Sequence, residues 1–289
     1  RTHEALFQET LMNAGMNKYL FEMANIRNQD SWVHSHNPAA ATEKAKDLVC
    51  MAVAKVFLAD PLGETDLPVS PSGLVVGGGV AGLMAALALA RQGYPVHLVE
   101  KSEVLGGNAG RLNRTYQGEN IADFVANLIG QVKSEPGITV HLGTSISEVD
   151  GFVGNFETIL SNGTLQETVN HGVTVLATGA KEYQPQEYLY GEHAAVVTHL
   201  EMDELFRNDD FRIKGAGDVV FIQCVGSRNP KHGVPYCSRI CCMYTAKHAL
   251  LLRHKVPESR AFIFYMDIRA GGKGYEEFVH RAMEEERVM

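Results

Sequence analysis

From residue 74 onward the apolar positions follow a strand, turn and helix rhythm. Leu74-Val75-Val76 is a short unbroken apolar run of the kind a strand covered on both faces requires, and the pattern over residues 81–92, closed by Gly93, predicts a helix. Residues 96–100 form the next strand, so the segment reads as a βαβ unit. An amphipathic helix is predicted over 121–133 and a strand over 139–142. Strands at 156–160 and 165–169 flank Ser161-Asn162-Gly163-Thr164, whose Asn-Gly pair favours a hairpin, and the strand 173–177 returns to the core. Residues 218–223 suit a buried parallel strand. Ile240, Met243, Ala246, Leu250 and Leu251 recur at helical spacing within a helix predicted at 238–254, and a last helix covers 275–289.

The amino-terminal part differs. Helical patterns at 5–14 and 40–58 are separated by Leu20-Phe21-Glu22-Met23-Ala24-Asn25 and by Trp32, and the Pro, Gly and Ser residues between Gly63 and Gly73 read as a linker. The predicted layout is an α/β fold: a small α/β module at 1–62, a linker at 63–73, a nucleotide-binding domain at 74–210, and a second, truncated Rossmann-like domain at 211–289. Both ends read as cut: Arg1 has no capping lead-in, and the last helix stops on Val288 and Met289.

The 289 residues, 45% hydrophobic, can fill more than one core, and the formal charge of -8 argues against nucleic acid or an anionic membrane as partner. No run of about 20 apolar residues is present to span a bilayer. Cys50 is odd and no paired cysteine framework exists, which fits a reducing compartment, the cytoplasm.

Between the first strand and its helix stands Gly77-Gly78-Gly79-Val80-Ala81-Gly82, a GxGxxG string, with Glu100 at the end of the second strand. In that context the first glycine permits the turn, the second lets backbone approach a pyrophosphate, the third allows close helix packing, and the acid can accept from ribose hydroxyls. The motif predicts dinucleotide binding.

The other concentration of chemistry is Cys224, Cys237, Cys241 and Cys242. Cys224 follows a strand at the carboxyl edge, where ligands bind in open α/β sheets, and Cys237 and Cys241, four apart, would share a helix face near its positive end. Four thiolates can hold a 4Fe-4S cluster. They can also be buried structural thiols or bind zinc, although the two CxxC pairs usual for zinc are absent and adjacent cysteines fit one ion poorly. Arg228, Arg239 and Lys247 surround the segment and can offset thiolate charge. His34 and His36 lack further ligands and read as a surface loop.

Leu105-Gly106-Gly107-Asn108 and Val173-Thr174-Val175-Leu176-Ala177-Thr178-Gly179 resemble the FAD domain of two-dinucleotide-fold flavoproteins such as thioredoxin reductases. Where those enzymes carry a second GxGxxG for NADPH, this chain has Gln223-Cys224-Val225-Gly226-Ser227-Arg228, and it has no CxxC pair; direct reduction by a pyridine nucleotide is not expected there. With Arg1-Thr2-His3-Glu4, residues 19–27, Tyr236-Cys237-Ser238-Arg239-Ile240-Cys241-Cys242 and residues 264–269, nearly the whole chain resembles the flavin-carrying A subunits of heterodisulfide reductase.

That resemblance implies a thioredoxin-reductase-like, Rossmann-type fold with FAD at Gly77, Gly79, Val80, Ala81, Gly82, Glu100, Lys101, Gly106, Gly107, Asn108, Leu112, Ile146, Ala177, Thr178 and Gly179. It implies a 4Fe-4S cluster on the four cysteines, and electron transfer between FAD and iron-sulfur carriers that complete complexes use for bifurcation. The implied partners are other heterodisulfide-reductase-type subunits, carriers such as ferredoxin, and a hydrogenase or formate dehydrogenase module, with a homodimer inside the larger complex as one arrangement. The chain departs from the family in having Asp30 where many relatives have cysteine, and in lacking a ferredoxin-type CxxCxxCxxxCP run. Two other readings are a self-contained NAD(P)H-dependent flavin disulfide reductase and a non-catalytic flavin-containing assembly module.

Overall fold

The computed structural model describes residues 3–289 apart from 164 and 233, in two compact units that meet in sequence between Leu67 and Pro68. The first contains α1 (Glu4–Asn13) and α2 (Pro38–Phe57), with one π-helical turn, Arg27–Ser31, between them. Asn37 caps α2 by accepting the Ala40 amide, and Pro38 takes the first helical position, where a missing N–H costs nothing. Among its described residues this unit has no strand, which corrects the α/β character expected of it: the apolar run at 20–25 has no second strand beside it in the unit to complete a ladder. No apolar side chain of the unit is buried; Asp30 is, and its Oδ1 has no hydrogen-bond partner.

The second unit opens with the expected βαβ: β1 (Gly73–Val76), α3 (Val80–Ala90) and β2 (Val96–Val99), followed by α4 (Ile121–Ser134) and β3 (Ile138–His141). Gly93, at φ +91°, turns the chain out of α3. Three antiparallel strands come next, β4 (Ser145–Phe152), β5 (Asn155–Asn162) and β6 (Leu165–His171), and then β7 (Val173–Leu176). The parallel sheet runs β3-β2-β1-β7, with Val75 opposite Leu98 and Val175. Val75, Leu83, Leu87, Leu98, Leu128 and Val132 form its core against α3 and α4. The predicted hairpin forms, β5 running to Asn162, which pairs with Leu165, and Gly163 taking φ +62°; Thr164, the last residue of the predicted turn, lies outside the described residues.

The remainder contains α5 (His199–Arg207), α6 (Phe211–Lys214), β8 (Asp218–Ile222), α7 (Cys241–Lys255), β9 (Arg260–Phe264) and α8 (Tyr275–Glu284). β8 and β9 pair in parallel across α7, giving a second βαβ unit. Only Phe221 of β8 is buried, while Val220 and Ile222 face outward, so the strand expected to be covered on both sides is covered on one. The last helix stops at Glu284, short of the predicted 289. Arg287 takes a left-handed conformation, and the tail turns back so that Met289 pairs with Ala261 and Ile263 on β9.

Thr198 and Glu201 form a reciprocal cap at the start of α5, the Thr198 hydroxyl accepting the Glu201 amide and the Glu201 carboxylate accepting the Thr198 amide. Thr198→Ala is expected to lower the denaturant midpoint by an amount equivalent to about 1 kcal/mol.

Candidate nucleotide and cysteine sites

The glycine string crosses from β1 into α3 with no slack. Gly77 sits at φ +109°, and a Cβ there would lie 2.3 Å from the Ala177 carbonyl oxygen; one on Gly82 would lie 1.8 Å from the Gly77 oxygen. These two contacts press the loop against the end of β7 and α3 against the loop. Gly79 differs: a Cβ on it would meet nothing within 4 Å, so its backbone borders open space at the amino terminus of α3, where no side chain caps the helix. Val80 begins that helix and Ala81 is exposed on its first turn. Free amides, the positive helix end and an open glycine form a cradle into which a pyrophosphate fits.

Glu100 is buried, and both its oxygens already accept hydrogen bonds. Oε2 takes the Gly78 amide at 2.7 Å; Oε1 takes the Ser102 amide at 2.8 Å and its hydroxyl at 2.7 Å. Burial alone would raise this carboxyl, but the bonds from Ser102 and Gly78, helped by the charge of Lys101, hold it below its ordinary value. Glu100 therefore braces the glycine loop, and its remaining lone pairs are what it offers a ribose.

The other residues expected at the nucleotide gather along the same edge. The Gly106 amide bonds to the Gly78 carbonyl at 2.8 Å, Gly107 (φ +54°) lies against Gly79, and Asn108 Nδ2 donates to Ala180 O at 2.9 Å, which binds this loop to the turn Ala177-Thr178-Gly179. Thr178 and Gly179 are exposed, as is Lys101. Leu112 is half-buried in extended chain. Ile146 packs its side chain against Leu74, Val99, Leu160 and Val169, and its backbone stands at a β-bulge.

The cysteines stand around the carboxyl end of β8. Gln223 still pairs with Phe264, and Cys224 then turns at φ +62°. α7 starts at Cys241 and not at 238, because Arg239 adopts φ +61°, a conformation no helix continues through. Cys237 is thus outside the helix, and the shared helix face expected of Cys237 and Cys241 does not exist. Its sulfur instead accepts the Arg239 amide at 3.3 Å. Cys242 Sγ accepts the Arg269 amide at 3.3 Å.

Cys241 and Cys242 are buried, Cys224 and Cys237 half-buried, and all four are free thiols. Burial pushes Cys224 up, with the Cys241 and Cys237 thiols adding to the effect and Arg228 opposing it. Burial also raises Cys242 against the Arg269 amide, and the Cys241 and Cys224 thiols add to it. The helix end therefore does not make thiolates of Cys224 and Cys242 in the free protein; desolvation wins. Among the described residues, no three His, Cys, Asp or Glu side chains are arranged for a single metal ion. Cys224 just past β8, and Cys237, Cys241 and Cys242 leading into α7, are sulfur donors of the chemistry that an iron-sulfur centre takes.

Of the expected cations, Arg228 lies beside Cys224 and also bonds Asp267 at 2.5 Å. Lys247 points elsewhere: it is buried on Asp203, with Nζ 2.7 and 3.0 Å from the two carboxylate oxygens. Buried Asp203, Lys247 and His248 and half-buried His199 form a polar group that no sequence pattern announces as a whole. A carboxylate between Met202 and Leu205, on the apolar stripe of α5, was the available signal.

An NAD(P)-binding Rossmann-like domain family matches residues 75–138. The chain is 34% identical to the A subunit of the H2:CoB-CoM heterodisulfide,ferredoxin reductase of Methanothermobacter marburgensis, over an alignment holding 98% of this chain and 57% of that protein. It is also 34% identical to an A-type iron-sulfur subunit of the CoB-CoM heterodisulfide reductase of Methanopyrus kandleri, over 99% of this chain and 57% of the relative. Its relatives are heterodisulfide reductase A subunits. The chain spans a little over half the length of these heterodisulfide reductase subunits, and the alignment of 373 residues is longer than the chain, so they carry extra residues within the matched span. Among solved structures, thioredoxin reductase of Lactococcus lactis is similar with a TM-score of 0.48 and 15% identity, over 75% of this chain and 62% of that one. Among the described residues, no helix is long and apolar enough to cross a membrane.

Proposed function

We propose that the chain is the flavin- and iron-sulfur-carrying oxidoreductase part of a heterodisulfide-reductase-type complex, in which it passes electrons between FAD and a 4Fe-4S cluster. What supports this reading is the exchange after β8: where a second glycine cradle could open, Cys224 turns at φ +62°, and the segment with Cys237, Cys241 and Cys242 leads into α7. Gly77, Gly79 and Gly82 would receive the FAD pyrophosphate at the start of α3, with Glu100 and Lys101 toward the ribose and Gly106, Gly107, Asn108, Leu112, Ile146, Ala177, Thr178 and Gly179 along the remaining edge. Cys224, Cys237, Cys241 and Cys242 would hold the iron. When bound, FAD supplies a carrier that exchanges electrons in pairs or singly, and the cluster one that exchanges them singly.

The chain's own groups prepare that exchange. The amides of Arg239 and Arg269 donate to Cys237 and Cys242 sulfur, and Arg228 lies beside Cys224; amide and cation donors of this kind stabilise thiolate once metal replaces the proton. Relatives are named for hydrogen, formate and ferredoxin, which favours a hydrogenase or formate dehydrogenase module and ferredoxin as partners, together with the other subunits and bifurcation in the complete assembly. Free thiols suit the cytoplasm.

Anaerobic preparation should give FAD together with about four irons and four sulfides per chain, the content of the cluster type proposed. Cys224→Ser and Cys242→Ser should each lose the EPR signal of the reduced protein while keeping the flavin band. Iron-free protein, or iron unchanged in all four single Cys→Ser variants, would refute the cluster. Rapid bleaching of the flavin by NADPH without partners would instead favour a self-contained reductase.

A further inference from the structure

The buried polar group beneath α7 touches neither the glycine loop nor the cysteines directly, yet it is bonded to elements that carry both. Asp203 on α5 is 1% exposed. Besides Lys247, its Oδ1 accepts the Asn113 amide at 3.2 Å, and its Oδ2 lies 2.9 Å from His248 Nε2. His248 Nδ1 is 2.8 Å from His199 Nδ1, and His199 Nε2 is 3.1 Å from the Thr245 hydroxyl. Thr245 is one helical turn beyond Cys241. Asn113 follows the 3-10 turn Gly107–Arg111, which α5 also holds through Glu204 to Arg111 at 2.7 Å and Arg207 to the Gly110 carbonyl at 2.8 Å.

Charge and lone pairs fix the direction of this chain. His248 Nε2 makes no well-angled hydrogen bond, but at 2.9 Å from the Asp203 carboxylate a bare lone pair would be repelled, so charge proximity places the His248 proton on Nε2. Burial keeps both rings from taking a second proton. His248 Nδ1 is then an acceptor, His199 Nδ1 has to donate to it, and His199 Nε2 is left to accept from Thr245. One anion orders four groups, from α5 to the first turns of the cysteine helix.

We propose that Asp203 is a positioning residue, which through this tautomer-locked His248–His199 pair holds the loop after Gly107 and the cysteine end of α7 in fixed register. This rests on the functional reading above, in which the loop carries flavin and α7 carries iron. The geometry itself is testable without either cofactor.

Histidine 15N NMR of the full chain as purified should show His248 protonated at Nε2 and His199 at Nδ1. In Asp203→Asn the carboxylate charge is gone and His248 should become a mixture of tautomers. Thr245→Val should leave His248 unchanged and move the His199 Nε2 resonance alone. In the flavin- and iron-loaded protein, flash photoreduction of the flavin should deliver electrons to the iron at least about tenfold more slowly in Asp203→Asn, at unchanged flavin and iron content, with recovery in Asp203→Glu, since small misplacements of reacting groups can cost on the order of a hundredfold. His199 protonated at Nε2 in the wild type would overturn the relay, and a wild-type transfer rate in Asp203→Asn would overturn the positioning role. Protein that binds no iron but shows the assigned tautomers would remove the functional reading and leave the relay standing.

Discussion

Gly82→Ala is expected to abolish flavin binding and to lower the stability of the second unit by about 1–3 kcal/mol, the usual cost of forcing extra atoms into a packed site. The added Cβ would stand 1.8 Å from the Gly77 carbonyl oxygen and 3.0 Å from its carbon. Those are backbone atoms, which no rotamer change can clear. Gly77 cannot retreat either, since its own Cβ position is 2.3 Å from the Ala177 oxygen and its φ of +109° is already one that favours glycine. Alanine's better helix propensity, about 1 kcal/mol, acts in the opposite direction and is too small to win. The start of α3 must therefore move off the end of β1, and the cradle opens. Gly79→Ala provides the contrast. Its Cβ meets nothing within 4 Å, so the variant should melt with the wild type while the methyl group occupies the open face and weakens flavin binding. Thermal melts and flavin absorbance per chain distinguish the two. A Gly82→Ala protein with full flavin and an unchanged melting temperature would show that the close approach is not required.

The contrast between these glycines also shows what was legible in the chain. The βαβ unit could be read because Leu74, Val75, Leu83, Leu98 and Val99 are all buried and no polar role competes with the pattern. β4 is not legible in the sequence because its pairing slips between Ile146 and Glu148; the bulge breaks the alternation of Ile146, Val149 and Phe152 by which a strand is recognised. The start of α7 is hidden for a different reason. Apolar spacing extends back to Ile240, but the left-handed backbone at Arg239 is imposed by the loop that carries Cys237, and periodicity contains no trace of it. Glu100 directly follows β2, where the sequence pattern sets it, yet its bonds to Gly78 and Ser102 depend on loop closure, which only the fold supplies. Lys247 looked like a partner for the cysteines because it is near them in sequence. One helical step turned it to Asp203.

The stability of the second unit should fall with acid in two pH windows, and Asp203 should account for the lower one. Burial by itself would raise the Asp203 carboxyl, but His248 and Lys247 beside it hold it at about 2, against an ordinary 3.8. A carboxylate held down in the folded state stabilises the fold above its unfolded value and loses that contribution as pH falls toward its folded value. The window is therefore from about 3.8 down to about 2, and the contribution is on the order of 2 kcal/mol. His199 and His248 act at higher pH with the same sign. Burial lowers both below 6.5, so each is neutral in the fold and takes up a proton on unfolding, and stability declines as pH drops below that value. Asp209 also titrates at about 2, through Lys214 and Lys255, but this group is exposed and salt should screen it. Urea unfolding across this range at about 0.5 M salt, where the Debye length is only a few ångströms, should retain the Asp203 limb. Asp203→Ala should remove that limb and, near neutral pH, cost about 3–5 kcal/mol, because Lys247 is then a buried charge without its partner. An acid limb of the same depth in Asp203→Ala would mean that the carboxylate is not the group being titrated.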